Sequence, residues 1–574
     1  MKAALLLAIA SAATSAASSP FHWQPCNIDG IVDPLLECGA LTVPLDHLNP
    51  TNGQTIDIAV RRYRTTSASP KGTILLNPGG PGGSGLGLAS PMFVTVTGGD
   101  YDVLGFDPRG IGASRAALCT QSRATGDAET RNLNAKPIPF DAIGSDRLLE
   151  RYEVEFELQA KRCVKYDGDY LPYLSTAYVA RDMDLIRAAL GQDVLHYYGI
   201  SYGTFLGLTY VNMFPDRVGR VIIDSVLTPT LYLGSTPTLM SQSLVDTEND
   251  FDGFCAACED AGPAHCPLAD ATAARPYLSR RLRAFFAQVD RKPLIVATDN
   301  DDVTAVYGQD LRKLVFGHLP GNTGWPNLAS LIHSYMNGTV IVPSDEATTC
   351  GKTKYTGQDI EWSIYVSNDG NNSATKASDW EDHLRRSQAV SPLFGGGWFV
   401  PALVTKYWTV KPVERYTGPW NKPLKHPILI LNNHFDPETP LASAREVASL
   451  MGPSNAVLVT RDGYGHCVLG HPSRCMAGVI ANFYNHGTLP PTNTNCPVDG
   501  NPFVPADVRG DDDKFADVAN ATTQLAQLVW EARRQPKAPH SPVTKMTLVE
   551  EEKPSTWQRF VLGLSTVLTN LVLI

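Results

Sequence analysis

The sequence predicts an α/β architecture: a mostly parallel sheet with helices on both faces, carrying a large helical cap insertion. Three observations lead there. Short apolar runs alternate with helical stripes over about residues 20–230 and again over 420–500. One run, Val194–Tyr198, feeds Gly199-Ile200-Ser201-Tyr202-Gly203, and a helix-like run follows over Thr204–Tyr210. Between the two halves, residues 231–420 lose the strand rhythm and read mainly as helical segments.

In chain order, residues 1–17 read as a secretory signal. Lys2 precedes the apolar run Ala3–Ala10, and small residues lead to a cut near Ala17. That apolar stretch is too short to span a bilayer. Strands are expected at Ile56–Arg61, Thr73–Leu76, Tyr101–Phe106, Val194–Tyr198, Arg220–Ile223, Pro427–Leu431 and Ala456–Thr460. The clearest helix, over 177–190, puts Val179, Met183, Ile186 and Leu190 in one stripe, with Ser175 or Thr176 as its cap. Pro276–Gln288 and Gly308–Leu319 read as helices of the insertion. A domain split into 18–230 and 421–500, interrupted by a cap over 231–420, accounts for this order. The remainder, 501–574, is an extension. It holds one helix around Phe515–Arg533, a linker over 534–556, and a tail whose Trp557, Phe560, Val561, Leu564, Val567, Leu568 and Leu571 share one helical face. That tail reads as an amphipathic helix for docking or for lying on a membrane, with a glycolipid-anchor signal as the rival.

A serine between two glycines at a strand-to-helix turn is a nucleophile elbow, the arrangement of α/β-hydrolases. The sharp turn lifts the Ser201 hydroxyl above the sheet, and the flanking glycines let neighbouring backbone pass close by. Upstream, the buried run Thr73–Leu76 enters Asn77-Pro78-Gly79-Gly80-Pro81-Gly82-Gly83-Ser84-Gly85. This loop is expected to supply one oxyanion N–H and the residue after the serine the other. The donors are then Tyr202 and Gly80, with Gly79 in reserve; Pro81 has no N–H. No Gly-Lys-Ser/Thr follows and no Gly-x-Gly-x-x-Gly opens a helix, which argues against a phosphate cradle. Later, Pro427–Leu431 leads to Asp436 before Pro437, and Ala456–Thr460 leads to His466 after Gly465. Ser201, Asp436, His466 is the chain order this fold uses. His466 would take the Ser201 proton and return it to the leaving group, while Asp436 would fix the tautomer and stabilise the imidazolium. Asp462, Asp224 and Glu438 are rivals for the acid, and His434 and His471 for the base. Asp436 is preferred because it lies at a strand's carboxyl end, and His466 because it closely follows the last convincing strand.

These residues carry a resemblance. With Asp107-Pro108-Arg109-Gly110-Ile111-Gly112-Ala113-Ser114, Ala180–Gly191 and Asp436-Pro437-Glu438-Thr439-Pro440, the chain resembles secreted tripeptidyl aminopeptidases and related proline iminopeptidases over about residues 20–500. The resemblance implies a serine exopeptidase that acts on peptides with free N-termini and releases short peptides, tripeptides or similar. It also implies that the insertion sits over the site as a cap. Two positions depart from the family's common pattern: Ser225 replaces the glycine of Asp-Gly-Val, and Cys467 the glycine after the histidine. An exopeptidase needs a carboxylate to meet the substrate ammonium, for which Glu248, Asp250, Asp252 and Glu438 are candidates. Two other readings remain open: an esterase or amidase for small non-peptide substrates, and a silent binding module on the same scaffold.

The formal net charge of −10 argues against nucleic acid as a partner. No metal or organic cofactor is indicated. Eleven cysteines in an exported chain imply disulfides. Closeness in sequence and the resemblance together pair Cys26 with Cys38, Cys119 with Cys163 and Cys475 with Cys496. Cys255, Cys258, Cys266, Cys350 and Cys467 are left without an assignment, and the Cys255-x-x-Cys258…His265-Cys266 spacing reads as disulfide chemistry before zinc. Three sequons, at Asn337, Asn371 and Asn520, fit an extracellular protein.

Overall fold

The computed structural model describes residues 19–27, 32–121, 146–272, 276–299, 302–342, 358–371, 378–396, 402–504 and 521. Apart from Asn27, these belong to one compact unit. Thirteen strands are present among the described residues. They are β1 (Gln24–Pro25), β2 (Leu36–Pro44), β3 (Thr55–Tyr63), β4 (Thr73–Asn77), β5 (Asp102–Phe106), β6 (Leu195–Ile200), β7 (Val218–Asp224), β8 (Leu294–Thr298), β9 (Val303–Val306), β10 (Ile341–Val342), β11 (Ile428–Phe435), β12 (Ala456–Tyr464) and β13 (Asn495–Pro497). Ten of them form one sheet in the order β1-β2-β3-β5-β4-β6-β7-β11-β12-β13. From β5 through β13 every pairing is parallel, while β1, β2 and β3 make an antiparallel edge.

Parallel strands covered on both faces should be apolar throughout, and β4 is buried at all five positions. Its residues divide between two apolar clusters: Leu75 joins one, Ile74 and Leu76 the other. β11 divides in the same way, Ile428 and Ile430 against Leu429 and Leu431. Helices Thr176–Ala189, Tyr202–Met213 and Leu441–Met451 contribute to the first cluster, and Pro91–Val96 and Arg474–His486 to the second. The sheet therefore carries helices on both faces. Ser175 caps the helix Thr176–Ala189 by accepting from Tyr178 N–H, and Val179, Met183 and Ile186 are fully buried along it.

The segment between β7 and β11 is mainly helical, yet it also holds a small sheet, β10-β8-β9, that the sequence reading did not anticipate. The reason is physical: Ile295, Val303 and Ile341 are 70%, 64% and 65% exposed, so these strands lack the buried runs that mark a central strand. The segment also divides in its packing. Helices Thr247–Ala261, Tyr277–Arg291, Gly308–Phe316 and Trp325–Asn337 build a separate core around Phe251, Phe254, Leu282, Phe286 and Trp325. Tyr232, Met240, Ile364, Tyr365 and Leu384 join the core of the large sheet instead. Asn337 and Asn371 are exposed. The signal segment, Cys350, Asn520, the helix expected at 515–533 apart from Ala521, and the C-terminal tail lie outside the described residues. Among the described residues, no helix is long and apolar enough to cross a membrane.

Candidate active site

Ser201 occupies the single residue between β6 and the helix Tyr202–Met213, at φ 60° and ψ −123°. A positive φ is costly for any residue with a β-carbon, and backbone bonds hold it in place. Ser201 N–H donates to Asp224 O at 3.0 Å, and Ser201 O accepts from Thr204 N–H at 2.8 Å. Glycine on both sides is obligatory. A β-carbon at 199 would lie 2.3 Å from Gly203 O, and one at 203 would lie 2.8 Å from Asn77 O.

The glycine-rich loop after β4 runs directly against this turn. Gly79 and Gly80 have φ of 92° and 112°. The β-carbon direction of Gly79 points to within 2.7 Å of Ser201 Cβ and 2.9 Å of Tyr202 N. Gly79 N–H itself donates to Asn77 Oδ1 at 3.0 Å, which commits that donor inside the loop. Ser84 Oγ donates to Asp107 Oδ1 at 2.5 Å, and Ala113 N–H to Asp107 Oδ2 at 2.8 Å, joining the loop to the turn after β5.

Asp436 follows β11, and His466 follows β12, the neighbouring parallel strand. His466 Nδ1 lies 2.9 and 3.0 Å from the two Asp436 oxygens. The acid is fully buried. Burial opposes its charge, but the His466 charge and hydrogen bond, the Thr439 N–H and the Ser225 hydroxyl outweigh that and hold it below the usual carboxylate range. Glu438 N–H and Thr439 N–H each donate to Asp436 Oδ1 at 2.9 Å, and Thr439 Oγ1 donates to Oδ2 at 3.0 Å. The other ring nitrogen of His466, Nε2, lies 3.3 Å from Glu438 Oε2.

The rivals sit elsewhere. Asp462 is exposed and lies 3.3 Å from His434. His471 is buried against Gly500 O, and burial pushes its imidazole down to about 3. Asp224 is buried beneath the histidine loop, accepting from Tyr198 OH and Val468 N–H, and burial raises its carboxyl to about 6. Of the acids proposed for an ammonium, Glu248 and Asp252 both pair with Arg283, at 2.5 and 3.0 Å. Asp250 is fully buried and accepts from Gly465 N–H at 2.8 Å; burial raises its carboxyl well above the ordinary range. Glu438 is the one of the four with an ion-pair contact to the His466 ring among the described residues.

Several supporting residues escaped the sequence reading. Arg461 is buried on β12 and donates to Val468 O (2.7 Å), His471 O and Tyr464 O, shaping the histidine loop from inside. Asn433 Nδ2 donates to Gly465 O at 2.7 Å and Cys467 O at 3.0 Å. The one available signal was an arginine and an asparagine at the ends of otherwise apolar strands. Further away, Arg109 is completely buried and forks onto Asp182 with two 2.7 Å bonds, and His47 meets Asp182 at 2.8 Å. This pair joins the segments Asp107–Ser114 and Ala180–Gly191.

Disulfides join Cys26 to Cys38, Cys119 to Cys163, Cys258 to Cys266 and Cys475 to Cys496. Cys255 and Cys467 are buried outside these bridges. Among the described residues no group of three or more His, Cys, Asp or Glu side chains could hold a metal ion.

Residues 72–470 match the family model described as alpha/beta hydrolase fold. The chain is 29% identical to a protein named tripeptidyl aminopeptidase of Streptomyces lividans, covering 85% of this chain and 88% of that one. It is 28% identical to serine protease Hip1 of Mycobacterium bovis, over 83% and 91% of the two chains. A protein of Mycobacterium tuberculosis named carboxylesterase B is also 28% identical, over 80% and 86%.

Proposed function

The chain belongs to the α/β-hydrolase family, and on that premise we propose that it is an exported serine exopeptidase releasing short peptides, tripeptides or similar, from free N-termini. The observation that carries this is the buried His466–Asp436 pair on the strands beyond a strained Ser201 turn. Ser201 Oγ attacks the scissile carbonyl as its proton passes to His466 Nε2, and the carbonyl oxygen becomes an oxyanion under the Tyr202 and Gly80 N–H groups. Collapse expels the new amine, which takes the proton from His466 and leaves an acyl-enzyme. Water then repeats the sequence and frees the short peptide. Asp436 stays charged throughout and stabilises the imidazolium. The segment 231–420 acts as a cap that excludes water and limits how much chain enters. The names of the aminopeptidase and protease relatives support peptides as substrates, and the four disulfides are compatible with an extracellular compartment.

Glu438, 3.3 Å from His466 Nε2, would meet an ammonium close to the reacting carbonyl, which suits a short acyl group. Three extended residues span about 10 Å, so a tripeptide needs a more distant anchor. The test is a series of aminoacyl, dipeptidyl and tripeptidyl chromogenic amides, each with free and blocked N-terminus. Free tripeptidyl amides are expected to turn over at least about tenfold faster than their acetylated forms, because an acetylated terminus has no charge to pair with an anchoring carboxylate. Cleavage of blocked amides or simple esters alone would instead establish the esterase or amidase reading, which the carboxylesterase B likeness favours.

The glycine loop offers a second measurement. A methyl group at position 79 would collide with Ile200 O at 2.4 Å as well as with Ser201 Cβ. Gly79→Ala is expected to lower kcat at least about 100-fold by displacing the nucleophile and its donors. Turnover within about fivefold of the parent enzyme would show that the loop does not set this geometry.

A further inference from the structure

Among the side chains that the proposed relay does not use, Ser225 is bonded to the residue after His466 and is one of the groups that lower the Asp436 carboxyl. It is the first residue after β7 and is held at φ 62°, a backbone setting that a β-carbon disfavours and a glycine would accept freely. Its N–H donates to Leu431 O of β11 at 2.9 Å, which fixes the turn. Its Oγ accepts from Cys467 N–H at 2.7 Å, the residue directly after His466. With that lone pair taken, the single hydroxyl hydrogen is available to the Asp436 carboxylate. Burial works against the charge of Asp436, and the Ser225 hydroxyl stands with His466 and the Thr439 N–H among the groups that offset it. The other donors to this carboxylate, apart from His466, come from Glu438 and Thr439, on the acid's own loop. Ser225 comes from a third strand and is bonded on its far side to the histidine loop.

We propose that Ser225 is a positioning residue: one hydroxyl that holds the Asp436 carboxylate and the backbone beyond His466 in a single register, at the expense of a strained turn. The proposal rests on Asp436 and His466 being the acid and base of the relay. The local donors fix Asp436 relative to its own loop, and the Ser225 hydroxyl, bonded to Cys467 N–H, refers the carboxylate to the loop that carries its partner.

Ser225→Gly separates this role from a structural one, because glycine relieves the backbone strain while deleting the hydroxyl. Its thermal midpoint is expected to equal or exceed that of the parent enzyme. Its kcat is expected to fall about 10- to 100-fold, the scale of one hydrogen bond to a charged group, with KM changed less than about twofold. Inactivation by a fluorophosphonate should slow by a similar factor, and this reaction needs no knowledge of the natural substrate. Ser225→Ala should lose the same activity while keeping the strain. Ser201→Ala serves as the control: if it is labelled like the parent, the relay itself fails. If Ser201→Ala is silent while Ser225→Gly keeps its kcat and labelling rate within about twofold, the positioning role is overturned and the relay stands.

Discussion

Ser201→Ala is expected to lower turnover by about 10⁴- to 10⁶-fold, the loss seen when the nucleophile of a serine relay is deleted. The structure gives this variant little reason to misfold. The Ser201 side chain makes no capping bond to the helix it precedes, and alanine keeps the β-carbon already accommodated at φ 60°. Backbone bonds to Asp224 O and from Thr204 N–H are untouched. The measurement is steady-state hydrolysis of the best chromogenic substrate beside fluorophosphonate labelling and a thermal melt. Labelling should vanish and the melt should hold. An alanine variant that kept more than about 1% of the parent rate would place the chemistry elsewhere.

Asp182→Ala is expected to cost about 3–5 kcal/mol of stability, although Asp182 has no place in the proposed chemistry. Arg109 is completely buried, and Asp182 is the only carboxylate bonded to it among the described residues. The carbonyls of Pro44, Leu45 and Tyr173 take its remaining hydrogens but carry no compensating charge. Removing the acid strands a cation in the core, which costs far more than any packing the methyl could recover. Denaturant midpoints at constant slope would read the loss. The pH dependence has a definite sign. Burial opposes the charge of Asp182, but Arg109 outweighs it and holds the folded carboxyl below 3.8. Its stabilisation is therefore complete above the ordinary carboxylate range and fades as pH falls through the folded value. The variant should lack that part of the acid limb. A loss under about 1 kcal/mol would mean that the cation is otherwise neutralised.

The elements that were legible in the sequence are those whose chemistry is local. A glycine loop after a fully buried strand, and a serine between glycines at a strand's end, announce themselves because only those residues tolerate the backbone they need. The central strands declared themselves as uninterrupted apolar runs. What stayed hidden depends on partners far apart in the chain. β2 carries Glu37 and Gly39 on the face where Leu41 and Val43 are buried, which breaks the alternation, and its register with β3 makes it a strand. Arg461 looked like the end of an apolar run, yet its guanidinium organises the histidine loop. The segments Asp107–Ser114 and Ala180–Gly191 could be read as resemblance alone, and the Arg109–Asp182 fork supplies their physical reason. The open fate of Cys258 and Cys266 had the same origin, since spacing does not state which sulfurs meet.

The helix Thr247–Ala261 reaches both catalytic loops. Thr247 Oγ1 donates to Pro437 O at 3.1 Å, Asp250 accepts from Gly465 N–H, and nearby Pro320 O accepts from His466 N–H at 2.8 Å. A displacement of this helix would pull on the Asp436 loop and the His466 loop together. The helix and the two loops therefore form one mechanical unit, and a substitution that shifts the helix is expected to be felt at the carboxylate and at the imidazole alike.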